Sequence, residues 1–371
     1  MDAAAQLAPA GPPDAVFDGH NDTVLRLELA ARAGAPRPFA LEDVTEGAGS
    51  NRFRDRRLDI DLVRAARGGF AGGLFAMFTP TGIGPTGLSD DDPDNIVRDG
   101  PVDQPTALAF TTALFARMRQ LARAHPDRFA VVSTVAEARA AMAAGQVAAI
   151  PHIEGAECID TDLAALEVLH AAGLRSLGPV WSRSNAFGHG APMAAQPDLE
   201  PGEGLTAAGK ALVATCEAMG ILIDCSHLTE KGFWDVAAAT DQPLVASHSN
   251  VHAIAPSARN LTDRQLDAVA ERGGLVGLNF HVSFLRPDCR HDRDTPMEVL
   301  LRHLDHLIER VGEDGVALGS DFDGCLLPQE IGDVSGLPAL MSAMRRAGYG
   351  EPLVAKIARE NWLRLLERVI G

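Results

Sequence analysis

Basic residues, cysteines and long apolar runs are all scarce in this 371-residue chain, and each scarcity closes off a class of function. Lysine and arginine number 33 against 50 acidic residues, the formal net charge is −17, and no basic block occurs. Nucleic acid and anionic membrane surfaces are therefore poor partners, because both select for clustered positive charge. The five cysteines, Cys158, Cys216, Cys225, Cys289 and Cys325, are odd in number and form no C-x-x-C pair. That argues against a zinc ribbon or a disulfide framework and leads to an expectation of reduced thiols in the cytoplasm. No uninterrupted apolar run is long enough to cross a bilayer. The start of the chain lacks a basic segment followed by a long apolar core, so residues 1–13 are expected to be a flexible arm rather than a signal peptide. Only three lysines occur, Lys210, Lys231 and Lys356, each in or beside a helically patterned segment.

What remains is an ordinary globular composition, 46% hydrophobic and 22% charged, laid out in a regular alternation. Eight β-like apolar runs lie near residues 14–18, 70–78, 147–153, 174–181, 220–225, 243–247, 274–280 and 315–320. Helical patterns fill most gaps, near 105–124, 134–144, 161–172, 205–219, 229–240, 262–272, 295–311 and 351–369. Thr134 with Glu137, and Thr262 with Gln265, have the spacing of helix-starting capping boxes. Alternating strands and helices imply parallel βαβ units, and eight of them predict an α/β fold closed as a (β/α)8 TIM-like barrel. Residues 1–371 are expected to form one domain, with loop insertions at 79–104, 186–204 and 283–296.

Several strand-like runs end in residues that bind metals. Val16-Phe17 leads into Asp18-Gly19-His20-Asn21-Asp22, and Ala149-Ile150 into Pro151-His152-Ile153-Glu154. Leu222-Ile223 leads into Asp224-Cys225-Ser226-His227, Val245-Ala246 into Ser247-His248, and Ala317-Leu318 into Gly319-Ser320-Asp321-Phe322-Asp323. A parallel barrel assembles its active site from the C-terminal ends of its strands. In extended chain, residues two apart face the same way, so His20 and Asp22 can reach one ion. His227 and His248 follow consecutive strands and can share a second. Each motif alone is also compatible with a solvated loop, a helix cap or a hydrogen-bonded structural histidine. Together they form a nitrogen and oxygen ligand set suited to zinc. Two ions need a bridge. No lysine sits at a strand end to supply a carboxylated one, so a carboxylate is required, and Glu154 is the best placed.

Taken in order, these pieces resemble the membrane (renal) dipeptidase family of zinc peptidases. The resemblance rests on Asp18-Gly19-His20-Asn21-Asp22, Ile153-Glu154-Gly155-Ala156, Leu222 to Leu228, Ala246-Ser247-His248-Ser249, Ser257-Ala258-Arg259-Asn260 and Gly319 to Gly324. It continues into Glu360-Asn361-Trp362-Leu363-Arg364. It implies a (β/α)8 barrel, two zinc ions per chain, and hydrolysis of small L-Xaa–L-Xaa or L-Xaa–D-Xaa dipeptides by a hydroxide bridging the metals. A homodimer is compatible with the family. By the same resemblance, His20 and Asp22 would hold one ion, His227 and His248 the other, and Glu154 both. Arg259 would bind the substrate carboxylate, and Asp321 would shuttle the proton. Asp323 is expected to orient a ligand, and His152 to serve a supporting or structural role. One departure stands out. Family members place a carbonyl-polarising histidine after the fourth strand, where this chain has Trp181. Arg183 and His189 are candidates to replace it, with a plain loop role the alternative for each. The neighbouring reading is an amidohydrolase for another amide or ester, such as an N-acyl amino acid or a β-lactam.

Overall fold

The computed structural model describes residues 14–32, 58–81 and 100–371. The expected N-terminal arm and most of the 79–104 insertion lie outside them. Nine strands are present among the described residues: β1 (Val16–Asn21), β2 (Phe70–Phe78), β3 (Phe129–Val131), β4 (Val147–Glu154), β5 (Ser176–Gly178), β6 (Leu222–Ile223), β7 (Val245–Ala246), β8 (Leu275–Leu278) and β9 (Val316–Leu318). Eight coincide with the apolar runs. The ninth, β3, has three residues and was not anticipated. It covers Val147–Ala149 of β4, the edge that β5, which begins opposite His152, does not reach.

All pairings are parallel and fall into two arcs. One runs β1-β2-β4-β5-β6, with β3 beside β4, and the other runs β7-β8-β9. Single parallel bridges, Asp224↔Val245 and Asn21↔Phe322, link the arcs at their two seams. At each seam a buried aspartate accepts both the N–H and the hydroxyl of a serine on the opposite arc. Asp18 takes Ser320 N (2.7 Å) and Oγ (2.8 Å). Asp224 takes Ser247 N (2.8 Å) and Oγ. Burial of the two carboxylates is tolerable because each of their oxygens has a donor.

The sheet is α/β in class and curls on itself. Inward side chains of both arcs, among them Phe17, Leu74, Ile150, Leu222, Val245, Leu275 and Ala317, share one buried cluster with Trp362, Leu363 and Leu366 of the helix Asn361–Ile370. Trp362 Nε1 donates to Leu318 O (2.8 Å), tying that helix to β9. A second, larger cluster lies between the strands and the outer helices. The helix starts follow the sequence signals. Thr262 and Gln265 form a full capping box over Asp263–Glu271. Thr134 accepts from Glu137 N, whereas the Glu137 carboxylate reaches back to Ser133 N rather than to the cap residue. No helix among the described residues is long and apolar enough to cross a membrane.

Candidate metal centre

The C-terminal ends of β1, β4, β6 and β7 carry His20 and Asp22, Glu154, His227 and His248 to one point. All five are buried, from 0% exposed for His20 to 5% for Asp22 and Glu154. Glu154 stands between the others. Its Oε2 lies 3.7 Å from His20 Nε2, which is itself 3.6 Å from Asp22 Oδ2. Its Oε1 lies 2.9 Å from His227 Nε2 and 3.5 Å from His248 Nε2. The two oxygens thus face two different ligand pairs. His227 Nδ1 contacts Ser182 Oγ (2.8 Å) and His248 Nδ1 contacts Ser247 Oγ (2.7 Å), which leaves both Nε2 atoms turned inward, 3.0 Å apart.

The donor set fits divalent cations. Both ring nitrogens of His20 and Oδ1 of Asp22 are buried without a hydrogen-bond partner among the described residues. Orphaned buried polar atoms are costly unless something coordinates them. Ligand atoms of His20, Glu154 and His248, and again of His20, Asp22 and Asp321, lie within 4.8 Å of one another. Charge points the same way. Burial would lower His20, but the carboxylates of Glu154, Asp22 and Asp321 outweigh it and push the imidazole up to about 10. Burial raises Glu154 to about 8, and burial holds His248 well below the usual imidazole range, with His20 and Arg259 adding to it. A proton on His20 here compensates negative charge that a cation would neutralise directly.

Asp321, just past β9, is partly exposed to the cleft, and burial raises its carboxyl to about 6. His227, Asp321 and Asp323 all have left-handed backbone, with φ of 67°, 60° and 67°. Non-glycine residues pay for that conformation and often hold it at functional positions. Asp323 turns away from the cluster. It accepts from Thr23 Oγ1 (2.7 Å) and Asp59 N (2.8 Å) and secures the segments that flank β1 and β2, not a ligand. His152 is fully buried on β4, with Nδ1 2.9 Å from Ser176 Oγ and Nε2 3.6 Å from Asp224 Oδ2. It packs edge-on against His20, at 5.5 Å between ring centroids.

Arg259 is 3% exposed and rests over the Phe284 ring at 5.5 Å. One Nη donates to His248 O (3.2 Å), and its Nε has no partner among the described residues. Burial lowers it to about 10, opposed by Asp321 and Glu154, so it is charged at neutral pH. Trp181 lies between Phe78 (5.0 Å) and His227 (5.5 Å) and walls the cleft where the family histidine was expected. The two proposed substitutes sit differently. Arg183 points its Nε at Glu157 (2.9 Å), Nη1 at Thr81 (2.9 Å) and Nη2 at Thr79 O (3.0 Å), so its donors serve the cleft wall. His189 is not brought to the cluster. It contacts Ser184 and Glu203 in a neighbouring cavity of about 260 Å³.

The cleft above the cluster is small, about 30 Å³, and is lined by Leu25, Phe78, Trp181, Met193, His281 and Phe284 besides the polar residues. His281, and Asn279 beside it, were missed in the sequence. The run ending at Phe280 obeys the strand-end rule that located the other site residues, and applying it there as well would have found His281; Asn279 lies inside the run and is not a metal-binding type.

Residues 13–370 match the family model for membrane dipeptidase (Peptidase family M19). A protein of Klebsiella pneumoniae described as uncharacterized, in the pqqA 5′ region, is 49% identical over 223 residues, 60% of this chain and 82% of that one. A similarly undescribed Acinetobacter calcoaceticus protein is 36% identical over 80% of this chain and 90% of its own length. Among solved structures, a dipeptidase AC of the same peptidase family superposes with a TM-score of 0.84 and 48% identity, covering 96% of this chain and 99% of that one. A Rhodobacter sphaeroides metallo peptidase, liganded with a phosphinate mimic of the dipeptide L-Ala-D-Ala, gives 0.84 and 47% over the same shares.

Proposed function

Because the chain belongs to the membrane dipeptidase family, we propose that it is a binuclear zinc dipeptidase acting on small L-Xaa–L-Xaa or L-Xaa–D-Xaa dipeptides, with its two arcs closed as a (β/α)8 barrel. The observation that carries this reading is the division of Glu154 between two ligand pairs, His20 with Asp22 and His227 with His248. That arrangement suits a carboxylate shared by two ions. Two zinc ions bound there would lower the pKa of a water molecule and polarise the scissile carbonyl.

The chain's own groups supply the rest. Asp321 takes a proton from the attacking water as the new C–O bond forms, and returns it to the nitrogen as the C–N bond breaks. Its partial exposure to the cleft and its raised carboxyl suit both duties. Arg259 provides a planar, permanently charged fork for a terminal carboxylate. The small cleft, walled in part by Trp181, Phe78 and Phe284, favours small substrates. The R. sphaeroides relative with its L-Ala-D-Ala mimic supports a D-residue at the second position.

The test pairs metal analysis with a dipeptide library containing both stereoisomers at each position. Asp321→Asn is expected to retain both metals and lose at least about 100-fold in kcat. Turnover that survives this substitution would remove Asp321 from its role. Hydrolysis of N-acyl amino acids or β-lactams with no dipeptide cleaved would replace the reading.

A further inference from the structure

Asn279 follows β8 and has no ionisable group, yet every polar atom it owns is engaged. Its main-chain N–H donates to Asn250 Oδ1 (3.0 Å), and its main-chain carbonyl accepts from Asn250 Nδ2 (2.9 Å). In the side chain, Oδ1 accepts the N–H of His281 (2.6 Å) and Nδ2 lies 3.0 Å from Asp321 Oδ2. The first bond fixes the amide's orientation. A backbone N–H can only donate, so the atom facing it is the oxygen, and the atom facing Asp321 is the NH₂ donor. Asn279 is 0% exposed. It therefore holds one oxygen of Asp321 from behind, with a rotamer locked on both sides.

The other oxygen is left on the reactive side. A Cβ on Gly324 would collide with Asp321 Oδ1 and Asp22 Oδ2, so both oxygens crowd the same bare backbone position, next to His20 and Asp22. The two oxygens of Asp321 thus have different surroundings, one tied to the frame and one facing the cluster.

We propose that Asn279 is a positioning residue for proton transfer: by holding Asp321 Oδ2 it presents Oδ1 as the single oxygen that takes and returns the proton. The inference rests on the dipeptidase reading above. Asn250 bonds only the main chain of residue 279, so those two bonds do not depend on its side chain. Two substitutions separate the two side-chain bonds. Asn279→Ala removes both. Asn279→Asp keeps an acceptor for the His281 N–H but places a carboxylate against Asp321 in place of the donor.

The measurements are kcat, KM, metal content and melting temperature for both variants. They use the best L,D- or L,L-dipeptide and the matched depsipeptide, in which an ester replaces the scissile amide. Asn279→Ala is expected to lower kcat roughly 10- to 100-fold, the usual reach of a residue behind a reactive group, with KM changed less than about twofold and metals retained. Asn279→Asp is expected to lose more. The ester should suffer less than the peptide by about tenfold, since an alkoxide departs with less need of a proton than an amide nitrogen does. The proposal is overturned if Asn279→Asp behaves like the wild type, which would leave only the bond to His281 of consequence. It is also overturned if peptide and ester fall equally, as a general loosening of the site would make them do. A wild type that cleaves no dipeptide overturns the underlying reading instead, and is seen before any variant is made.

Discussion

At Gly324 the missing side chain is a structural requirement. The space a methyl group would fill belongs to Asp22 and Asp321, and neither carboxylate can retreat, since Asp22 is buried and Asp321 is tied to Asn279. Gly324→Ala is expected to reduce metal content and to lower kcat by at least about tenfold, with a change in melting temperature of only a few degrees. Metal analysis beside thermal unfolding checks this, and full occupancy with normal kcat would show that the two carboxylates can move apart. Single residues of this kind were hard to read in advance. His20, Asp22, Glu154, His227 and His248 announce themselves by type and place. Gly324 and Asn279 act through contacts with Asp22 and Asp321 that only the folded chain brings together. Trp181 is an intermediate case. Its departure from the family pattern was plain in the sequence, but its packing against Phe78 and His227 was not.

The elements were legible wherever their boundaries are set locally. The capping threonines mark helix starts, and the apolar runs locate eight strands. The ends of β6 and β7 fall short of their runs because the chain there leaves the ladder to bond with the Asp224 side chain. Cys225 N still finds Val245 O (2.7 Å), but Ser226 N turns to Asp224 Oδ1 (2.9 Å). One histidine illustrates how helices hold these irregular ends. His303, in the helix Met297–Val311, accepts the N–H of Val251 at Nδ1 (3.2 Å) and donates from Nε2 to Leu285 O (2.9 Å), clasping the segments after β7 and β8. The bond from Val251 requires an unprotonated Nδ1, hence the neutral ring, and burial lowers its pKa to about 4. The folded state therefore resists a proton that the unfolded chain accepts near pH 6.5. Stability from this residue is full above pH 6.5 and declines as the pH falls toward 4, by on the order of 3 kcal/mol. Chemical denaturation from pH 8 to 4 should show this decline. His303→Asn, less stable at pH 8, should have a shallower slope over that interval, and an unchanged slope would assign the acid sensitivity elsewhere.

At the scale of the whole molecule, the proposed ions would join what the strands join only weakly. Their ligands come from β1, β4 and β6 of one arc and from β7 of the other, so bound metal would span the seam that a single bridge closes. A ligand that binds only the folded state stabilises it by mass action, about 4 kcal/mol at a thousandfold excess over Kd. Chelation is accordingly expected to lower the melting temperature by several degrees and to abolish turnover, with both restored by added zinc. A melting temperature insensitive to chelator would mean that the arcs are held without metal. The seams carry a further consequence. Ser247 and Ser320 donate their amide hydrogens to aspartate side chains across the gap, where an ordinary strand residue would donate to a neighbouring carbonyl. Both serines are buried and their acceptors lie on the other arc, so parting of the arcs breaks both bonds. In hydrogen–deuterium exchange they should therefore behave as a matched pair, silent to local fraying and released together, a built-in gauge of how often the molecule parts along its two seams.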